Sequence, residues 1–470
     1  MSLKSSFPSE SHSLYAVGAV DGRYAEKTKA LMPYFSEAGL IRYRIITEAQ
    51  WLLHLCSDPI VSKDIGADRA TISCLERLIS DFPENAAAAV KAHEAVTNHD
   101  VKAVEYYLRD VLKEAGARDS VLAFIHFGCT SEDINNVSYA LLLRDARDNI
   151  LAPKWRLVIE DLQKKAEQYR ELPMLARTHG QTASPTTLGK ELAVFGHRLW
   201  KQYRAMLDLK FEAKMNGAVG NYNAHMSAYP NVDWPETTKR FIEDRLGLTQ
   251  NTLTTQIENH DSMIAFCDNL RRTQNIAIGL CRDIWTYISL AYFTQKTIKG
   301  EVGSSTMPHK VNPIDFENAE GNFGLANGIL AHLSDKLLIS RLQRDLSDST
   351  VQRSFGTILG HSLIALASLQ KGLAKIVVNE QALEKDLQGA WEVLAEPVQT
   401  IMRRYGIMNA YERLKEQTRG QAVTKESLHE LIKSTAEIPS AEKEQLLQLT
   451  PSRYIGLAAE LCQRFVEGRS

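Results

Sequence analysis

The sequence predicts an all-α protein built on long helices, and three observations predict it. First, no proline falls between Pro235 and Pro308, or between Pro313 and Pro397, so two long stretches lack the main helix breaker. Second, apolar side chains recur at helical spacing. Ile358, Ser362, Leu366, Leu369, Leu373 and Ile376 form one stripe, and Ile276, Leu280, Ile284, Tyr287 and Ala291 another. Trp155, Ile159, Leu162, Ala166 and Tyr169 form a third, and Leu188, Leu192, Phe195 and Leu199 a fourth. Third, runs with strand alternation are scarce. The stretch 375–379, Lys-Ile-Val-Val-Asn, fits a short strand or the continuation of a helix.

The chain has 470 residues, 44% of them hydrophobic, which is too many for one compact core and points to two or three domains. The periodic stretches place a central long-helix bundle over 121–378, with an N-terminal helical domain over 1–120. A charged C-terminal helical cap, broken by Pro439 and Pro451, covers 379–470. Leu363, Ile364 and Ala365 widen one apolar face beyond a single stripe, which predicts a homo-oligomer.

Lysine and arginine number 55 against 57 acids, for a net charge of -2, so nothing points to nucleic acid. The six cysteines form no C-x-x-C pair, which reads as reduced thiols and no metal site. The first residues lack an apolar signal core, and no window reaches the length of a membrane span. The expectation is a cytoplasmic enzyme with no cofactor.

Four polar segments are richer than a helical bundle needs. In 97–105, TNHDVKAVE, Asn98 or Asp100 could cap a helix, leaving His99 at its positive end. In 127–136, FGCTSEDINN, Thr130 and Ser131 precede two acids, which fits an N-cap and equally a carboxylate site. In 177–185, RTHGQTASP, His179 lies between two long periodic helices. It could serve as a proton donor, or merely bond a carbonyl.

The fourth segment is the loop 303–313, GSSTMPHKVNP, between the two proline-free stretches. Gly300 and Gly303 allow motion, and two serines, Lys310 and Asn312 crowd together between Pro308 and Pro313. A plain surface connection does not need that set; a polar loop that closes on a substrate does.

This loop closely resembles the Gly-Ser-Ser-x-Met-Pro-x-Lys-x-Asn signature of the fumarase/aspartase superfamily. His309, the following Ile314-Asp315-Phe316-Glu317-Asn318, and DGRY at 21–24 resemble its branch that cleaves succinylated purine nucleotides. So do TNHDVKAVE, CTSEDINN at 129–136, RTHGQ at 177–181 and TTQIENHD at 254–261. The likeness runs from about residue 18 to 460. One departure is Thr182, where relatives often carry proline after Gly-Gln.

The resemblance implies an all-α fold of three domains with a long central helical bundle. It also implies a homotetramer whose active sites are shared between subunits. The implied reaction is β-elimination of fumarate, with Ser304 as general base and His179 as general acid. Ser304 is preferred to Ser305 because the family's base lies six residues before the loop lysine. Lys310, Asn312, Thr130 and Ser131 are implied at the succinyl carboxylates, and Ser305 and Val311 are implied as further substrate contacts. Arg23, Tyr24, Arg344, Ser349 and Arg353 match positions at the phosphate-bearing half, and Gln256 and Asn318 match polar substrate contacts. Asn98, His99 and Asp100 complete the set, with His99 at the phosphate or orienting His179. Without the resemblance, 344–353 reads as a solvated helix face. The rival readings are another member of the superfamily, a helical scaffold, or a transferase dependent on Cys129.

Overall fold

A computed structural model describes residues 12–296, 307, 310–408, 412 and 423–468. Helices dominate it, and the chain divides into two compact units. The first holds 1–155, 202–275 and 321–367; the second holds 156–201, 276–320 and 368–470. Five helices contribute residues to both: Ala152–Gln168, Leu188–Asp208, Asp261–Ser289, Ile314–Leu337 and Phe355–Lys375.

In the first unit, helix Glu37–Ser57 starts at Ser36, whose Oγ accepts from the Gly39 N–H at 3.0 Å. Helix Arg69–Ser80 starts at Asp68, whose Oδ1 accepts from the Thr71 N–H at 2.8 Å. Each cap satisfies one orphan donor and contributes about 1 kcal/mol. Helix Ser131–Ala146 packs on Glu37–Ser57, which packs on Arg69–Ser80.

Ser131–Ala146 is buried on nearly every side, including the polar Asn135, Asn136 and Ser138. Burial without partners would cost each of them dearly, so each is paired. Arg44 Nε donates to Asn135 Oδ1 at 2.9 Å. Asn136 exchanges bonds with the Lys214 backbone in both directions, at 2.8 and 3.1 Å. The Ser138 hydroxyl donates to the Ile134 carbonyl at 2.6 Å. The helix then passes through the π-helical turn Arg147–Leu151 into Ala152–Gln168. Pro153 has no N–H, and its ring collides with the carbonyl four residues back, so a wider turn accommodates it.

Most of the predicted apolar stripes are buried, but Tyr169, Phe195 and Tyr287 are half-buried, and Ala291 is exposed beyond the end of helix Asp261–Ser289, at φ 60. Ile358, Ser362 and Leu366 lie in the first unit's core, and Leu369 and Leu373 in the second's. Leu363, Ile364 and Ala365 are buried within the single chain. That widened face is therefore covered already, and by itself does not require a second copy.

Strands are few but present. Ile376–Val378 pairs antiparallel with Phe293–Gln295 in the second unit, so the strand reading of 375–379 holds and Ile376 leaves the helical stripe. Pro173–Thr178 and Gln181–Thr187 form an antiparallel hairpin with a bulge between Leu175 and Arg177. Glu212–Ala213 and Thr249–Gln250 form a two-residue parallel pair in the first unit. The C-terminal segment folds as short helices around Leu387, Leu394, Val398, Met402, Leu431 and Ile432, and Leu175 of the hairpin joins that core. Among the described residues, no helix is long and apolar enough to cross a membrane.

Candidate functional site

In the first unit, the polar segment at 130–131 opens helix Ser131–Ala146. Thr130 is its N-cap residue, and its backbone N–H donates to Asp133 Oδ2 at 2.7 Å. Asp133 is fully buried and also takes the N–H groups of Asn216 at 3.0 Å and Gly217 at 3.2 Å. Lys214 Nζ, equally buried, stands 3.0 Å from Asp133 Oδ1 and donates to the Gly217 carbonyl at 2.9 Å. A buried ion pair is tolerated only when its remaining bonds are made, as they are here. The helix start and 213–217 are thereby tied together. Gly128, just before this start, has φ +72, and a Cβ there would sit 2.4 Å from His225 Nε2. The capping reading of 130–131 is thus met by a capping box that engages both the Thr130 and the Asp133 side chains. Burial pushes the Cys129 thiol well up, which disfavours a thiolate nucleophile.

The residue that caps helix Asp100–Glu114 is His99 itself, not Asn98 or Asp100. His99 Nδ1 accepts from the Lys102 N–H at 3.1 Å. Asn98 instead ends the preceding helix in the left-handed region, at φ 51. Asp100 is the first helical residue and serves as a counter-ion. Arg44 Nη2 lies 2.7 Å from its Oδ2, and Arg353 Nη2 3.3 Å. Burial raises its carboxyl, but Arg44, the Val101 N–H and Arg353 outweigh that and hold it below the usual range. Arg353 also meets Glu37 at 3.0 Å. Arg353 further lines a cleft with Val20, Asp21, Thr28 and Met32, which brings it beside the segment of Arg23 and Tyr24. There the Arg23 guanidinium lies 5.8 Å from the Tyr24 ring centroid.

The solvated-face reading of 344–353 fails for Arg344, whose side chain is mostly buried; Ser349 is half-buried, and Arg353, just past the helix end, is exposed. Ser347–Gln352 is one short helix, and Asp348 and Gln352 are buried. Arg344 Nη2 stands 3.1 Å from Glu132 Oε2 and 3.7 Å from Asp348 Oδ1, and its Nη1 lies 3.4 Å from Gln256 Oε1. The Ser349 N–H donates to Asp348 Oδ1 at 2.6 Å. Glu132, His260 and Asp348 each bring one ligand atom within 4.8 Å of the others, the spacing of a metal triad. The Arg344 guanidinium already supplies the compensating charge, so the donor set fits an arginine clamp better than a cation. Burial raises the Glu132 carboxyl to about 7 against the pull of Arg344. Burial lowers the His260 imidazole.

In the second unit, His179 and Gly180 form the two-residue turn of the hairpin, with φ 54 and 73. Two successive positive φ values suit the right-handed twist of the strands, and glycine carries the second without cost. His179 is exposed at the tip. Below it, Arg177 pairs with Asp386, which also accepts from the Tyr292 hydroxyl, and Ser184 donates to Glu396. The hairpin is thus braced on the C-terminal segment.

Ser304 and Ser305 lie outside the described residues. Just after them, the Lys310 N–H donates to the Met307 carbonyl at 3.0 Å, and the Lys310 side chain is exposed. Gln295 Nε2 donates to the Val311 carbonyl at 3.1 Å, and Asn312 is half-buried. Asn318 Oδ1 accepts from Ser368 at 2.8 Å. Asp315 and Lys375 pair at 2.9 Å beneath the start of helix Ile314–Leu337.

The residues missed from sequence are the supporting charges: Arg44, Glu132, Asp133, Lys214, His260 and Asp348. Arg44 carried a signal, a cation set among apolar helix neighbours. Glu132 and Asp133 looked like ordinary first-turn acids.

A family model described as "Lyase" matches residues 22–328, and one described as "Adenylosuccinate lyase C-terminal" matches 340–455. The structure resembles a crystal structure of 3-carboxy-cis,cis-muconate lactonizing enzyme from Pseudomonas putida. The TM-score is 0.73 at 22% identity, over 94% of this chain and 97% of that one, which speaks for the fold alone. The class is now defined: an all-helical lyase of the superfamily that the loop signature indicated. Adenylosuccinate lyase of Vibrio cholerae serotype O1 is 50% identical over 97% of this chain and 100% of its own length. That of Haemophilus influenzae is 49% identical, and that of Escherichia coli K12 50%, each over 96% of this chain and 98% of its own. The chain belongs to the adenylosuccinate lyase family.

Proposed function

We propose that the chain eliminates fumarate from adenylosuccinate, releasing AMP, and from succinylaminoimidazole carboxamide ribotide, in purine nucleotide biosynthesis. The observation that carries this reading is identity near 50% with adenylosuccinate lyases along nearly the whole chain. Ser304 removes the proton from the carbon beside a carboxylate. His179 protonates the departing nitrogen, without which the amine leaves poorly. Ser304 needs activation by nearby donors or positive charge, since a serine is a weak base at its free pKa. The exposed setting of His179 on a two-residue turn suits a group that must reach a substrate.

Lys310, Asn312, Thr130 and Ser131 hold the succinyl carboxylates, with Ser305 and Val311 as further substrate contacts. The rigid helix start at Thr130 supports this role, because N-terminal amides and a fixed frame favour anions. Arg23, Tyr24, Arg344, Ser349 and Arg353 take the phosphate-bearing half. Arg344 and Arg353 already rest on carboxylates, and a dianionic phosphate can compete for such forks. Gln256, Asn318 and Asn98 supply polar contacts, Asp100 steadies Arg353, and His99 assists at the phosphate or orients His179.

The working form is a cytoplasmic homotetramer of three-domain chains, with each active site drawn from several subunits. Exposed Leu157, Val194, Trp285 and Leu325 on the long helices support association. The activity is tested by the absorbance change on adenylosuccinate, with malate and argininosuccinate as controls. Turnover of either control in place of adenylosuccinate would defeat the proposal. Ser304→Ala should abolish turnover while leaving helical circular dichroism intact. Mixing inactive His179 and Ser304 variants should restore some activity; none after demonstrated subunit exchange would count against shared sites.

A further inference from the structure

Glu132 lies in the first turn of helix Ser131–Ala146, but it does not supply the cap, because Asp133 takes the Thr130 N–H. Its side chain is buried and turned to Arg344, 3.1 Å away, with Asp348 3.7 Å from the same nitrogen. Arg344 Nε and Asp348 Oδ2 are buried with no hydrogen-bond partner among the described residues. The guanidinium is parked on two acids with bonding capacity to spare.

The other charged and titratable groups nearby have partners of their own. Lys214 is committed to Asp133 and the Gly217 carbonyl. His260 Nδ1 lies 3.2 Å from the Leu337 carbonyl, and its Nε2 lies 2.9 Å from Gln352 Nε2. That network assigns the proton to Nδ1 and leaves a neutral ring. Glu258 is held by the Asn251 amide at 2.9 Å and the His260 N–H at 2.8 Å. Tyr139 is an uncharged phenol on the same helix. Among the described residues, Arg344 is therefore the counter-ion that Glu132 and Asp348 share.

We propose that Glu132 is a positioning residue for Arg344 and takes up a proton when the nucleotide's phosphate engages that guanidinium. This rests on the proposed meeting of Arg344 with the phosphate. Arg23 and Arg353 meet the same dianion from their own positions, but at Arg344 the phosphate competes with Glu132 and Asp348 for the one guanidinium those two acids share. Whether Arg344 swings away or bridges, Glu132 loses part of its compensation, and neutralising it relieves the excess. Burial already holds its carboxyl near neutrality, at about 7, so a modest push suffices. The proton comes from solvent and returns there when the product leaves.

The experiment is calorimetric titration of the wild-type enzyme with AMP at pH 8, in buffers of different ionisation enthalpy. The AMP phosphate is almost wholly dianionic at that pH, with its second pKa near ~6. An uptake of about half a proton or more per AMP bound is expected. Glu132→Gln should bind AMP with that uptake lost. Asp348→Asn, which removes the neighbouring charge, should shift the uptake maximum to lower pH. Arg344→Ala distinguishes failure of the phosphate contact from failure of the proton uptake. If it binds AMP as tightly as wild type, the phosphate reading of Arg344 fails. If it binds at least tenfold more weakly while the wild type takes up no proton, the role of Glu132 fails alone. Uptake unchanged in a folded Glu132→Gln also overturns it. Should that variant not fold, an Asp348→Asn uptake maximum at the wild-type pH overturns the proposal, and a lower one sustains it.

Discussion

Replacing Lys214 with methionine removes one charge of a fully buried pair while nearly preserving volume. Asp133 would keep three backbone donors, from Thr130 at 2.7 Å, Asn216 at 3.0 Å and Gly217 at 3.2 Å. Truncating one partner of such a pair costs about 3–5 kcal/mol, and the retained donors favour the lower figure. The Gly217 carbonyl would lose its 2.9 Å bond from Nζ, adding about 1 kcal/mol. A total of about 3–4 kcal/mol should lower the urea midpoint by about 1 M, given a slope near 3 kcal/mol/M or above. The assay is urea unfolding by circular dichroism at fixed protein concentration, since association contributes to stability. Asp133→Asn and the double variant complete the cycle, and the double variant should be less damaging than the two single losses summed. A Lys214→Met midpoint within roughly 0.3 M of wild type, at unchanged slope, would refute the anchoring role of the pair.

Three other perturbations have defined outcomes. Burial lowers the imidazoles of His225 and His54 to about 4 from 6.5. The unfolded chain then takes protons that the folded one refuses. Stability is fully present above pH 6.5 and falls as pH drops toward about 4, and His225→Phe should flatten that slope by up to ~3 kcal/mol in unfolding measured across the window. His179→Asn keeps a residue tolerant of the turn's positive φ, so fumarate release should fall by about 100- to 10,000-fold with circular dichroism unchanged; near-normal turnover would remove His179 from acid catalysis. Asp100→Asn strips a charge from the buried Arg44 and from Arg353. It should cost about 2 kcal/mol in unfolding and raise KM for adenylosuccinate more than it lowers kcat, whereas an unchanged KM would separate Asp100 from the substrate's phosphate end.

The helical framework was legible because its cause is local. Stripes such as Trp155, Ile159, Leu162 and Ala166 must bury one face, and they do. The hairpin around His179 was not, because its strands carry Pro185, small polar residues and a bulge instead of clean alternation. The His-Gly turn was its main sequence signal. His99 took the cap from its neighbours because an imidazole nitrogen can accept an N–H as a carboxylate does. The charge partners escaped for another reason. Lys214 and Asp133, or Arg344 and Glu132, lie far apart in sequence, and nothing local to either member announces the other. The resemblance nominated the motif residues, while the charges packed against Thr130, Asp100 and Arg344 came only with coordinates.

The brace under His179 also has a meaning in time. Arg177 and its partner Asp386 are 209 positions apart, and Leu175 belongs to a core made almost wholly of residues beyond 386. On a ribosome adding about 5–20 residues per second, the hairpin waits about 10–40 s before its foundation exists. Until then the strands have only each other, and a lone two-stranded hairpin is marginal in water. Assembly of the His179 turn is therefore among the last events of synthesis, and an incomplete chain would emerge without it.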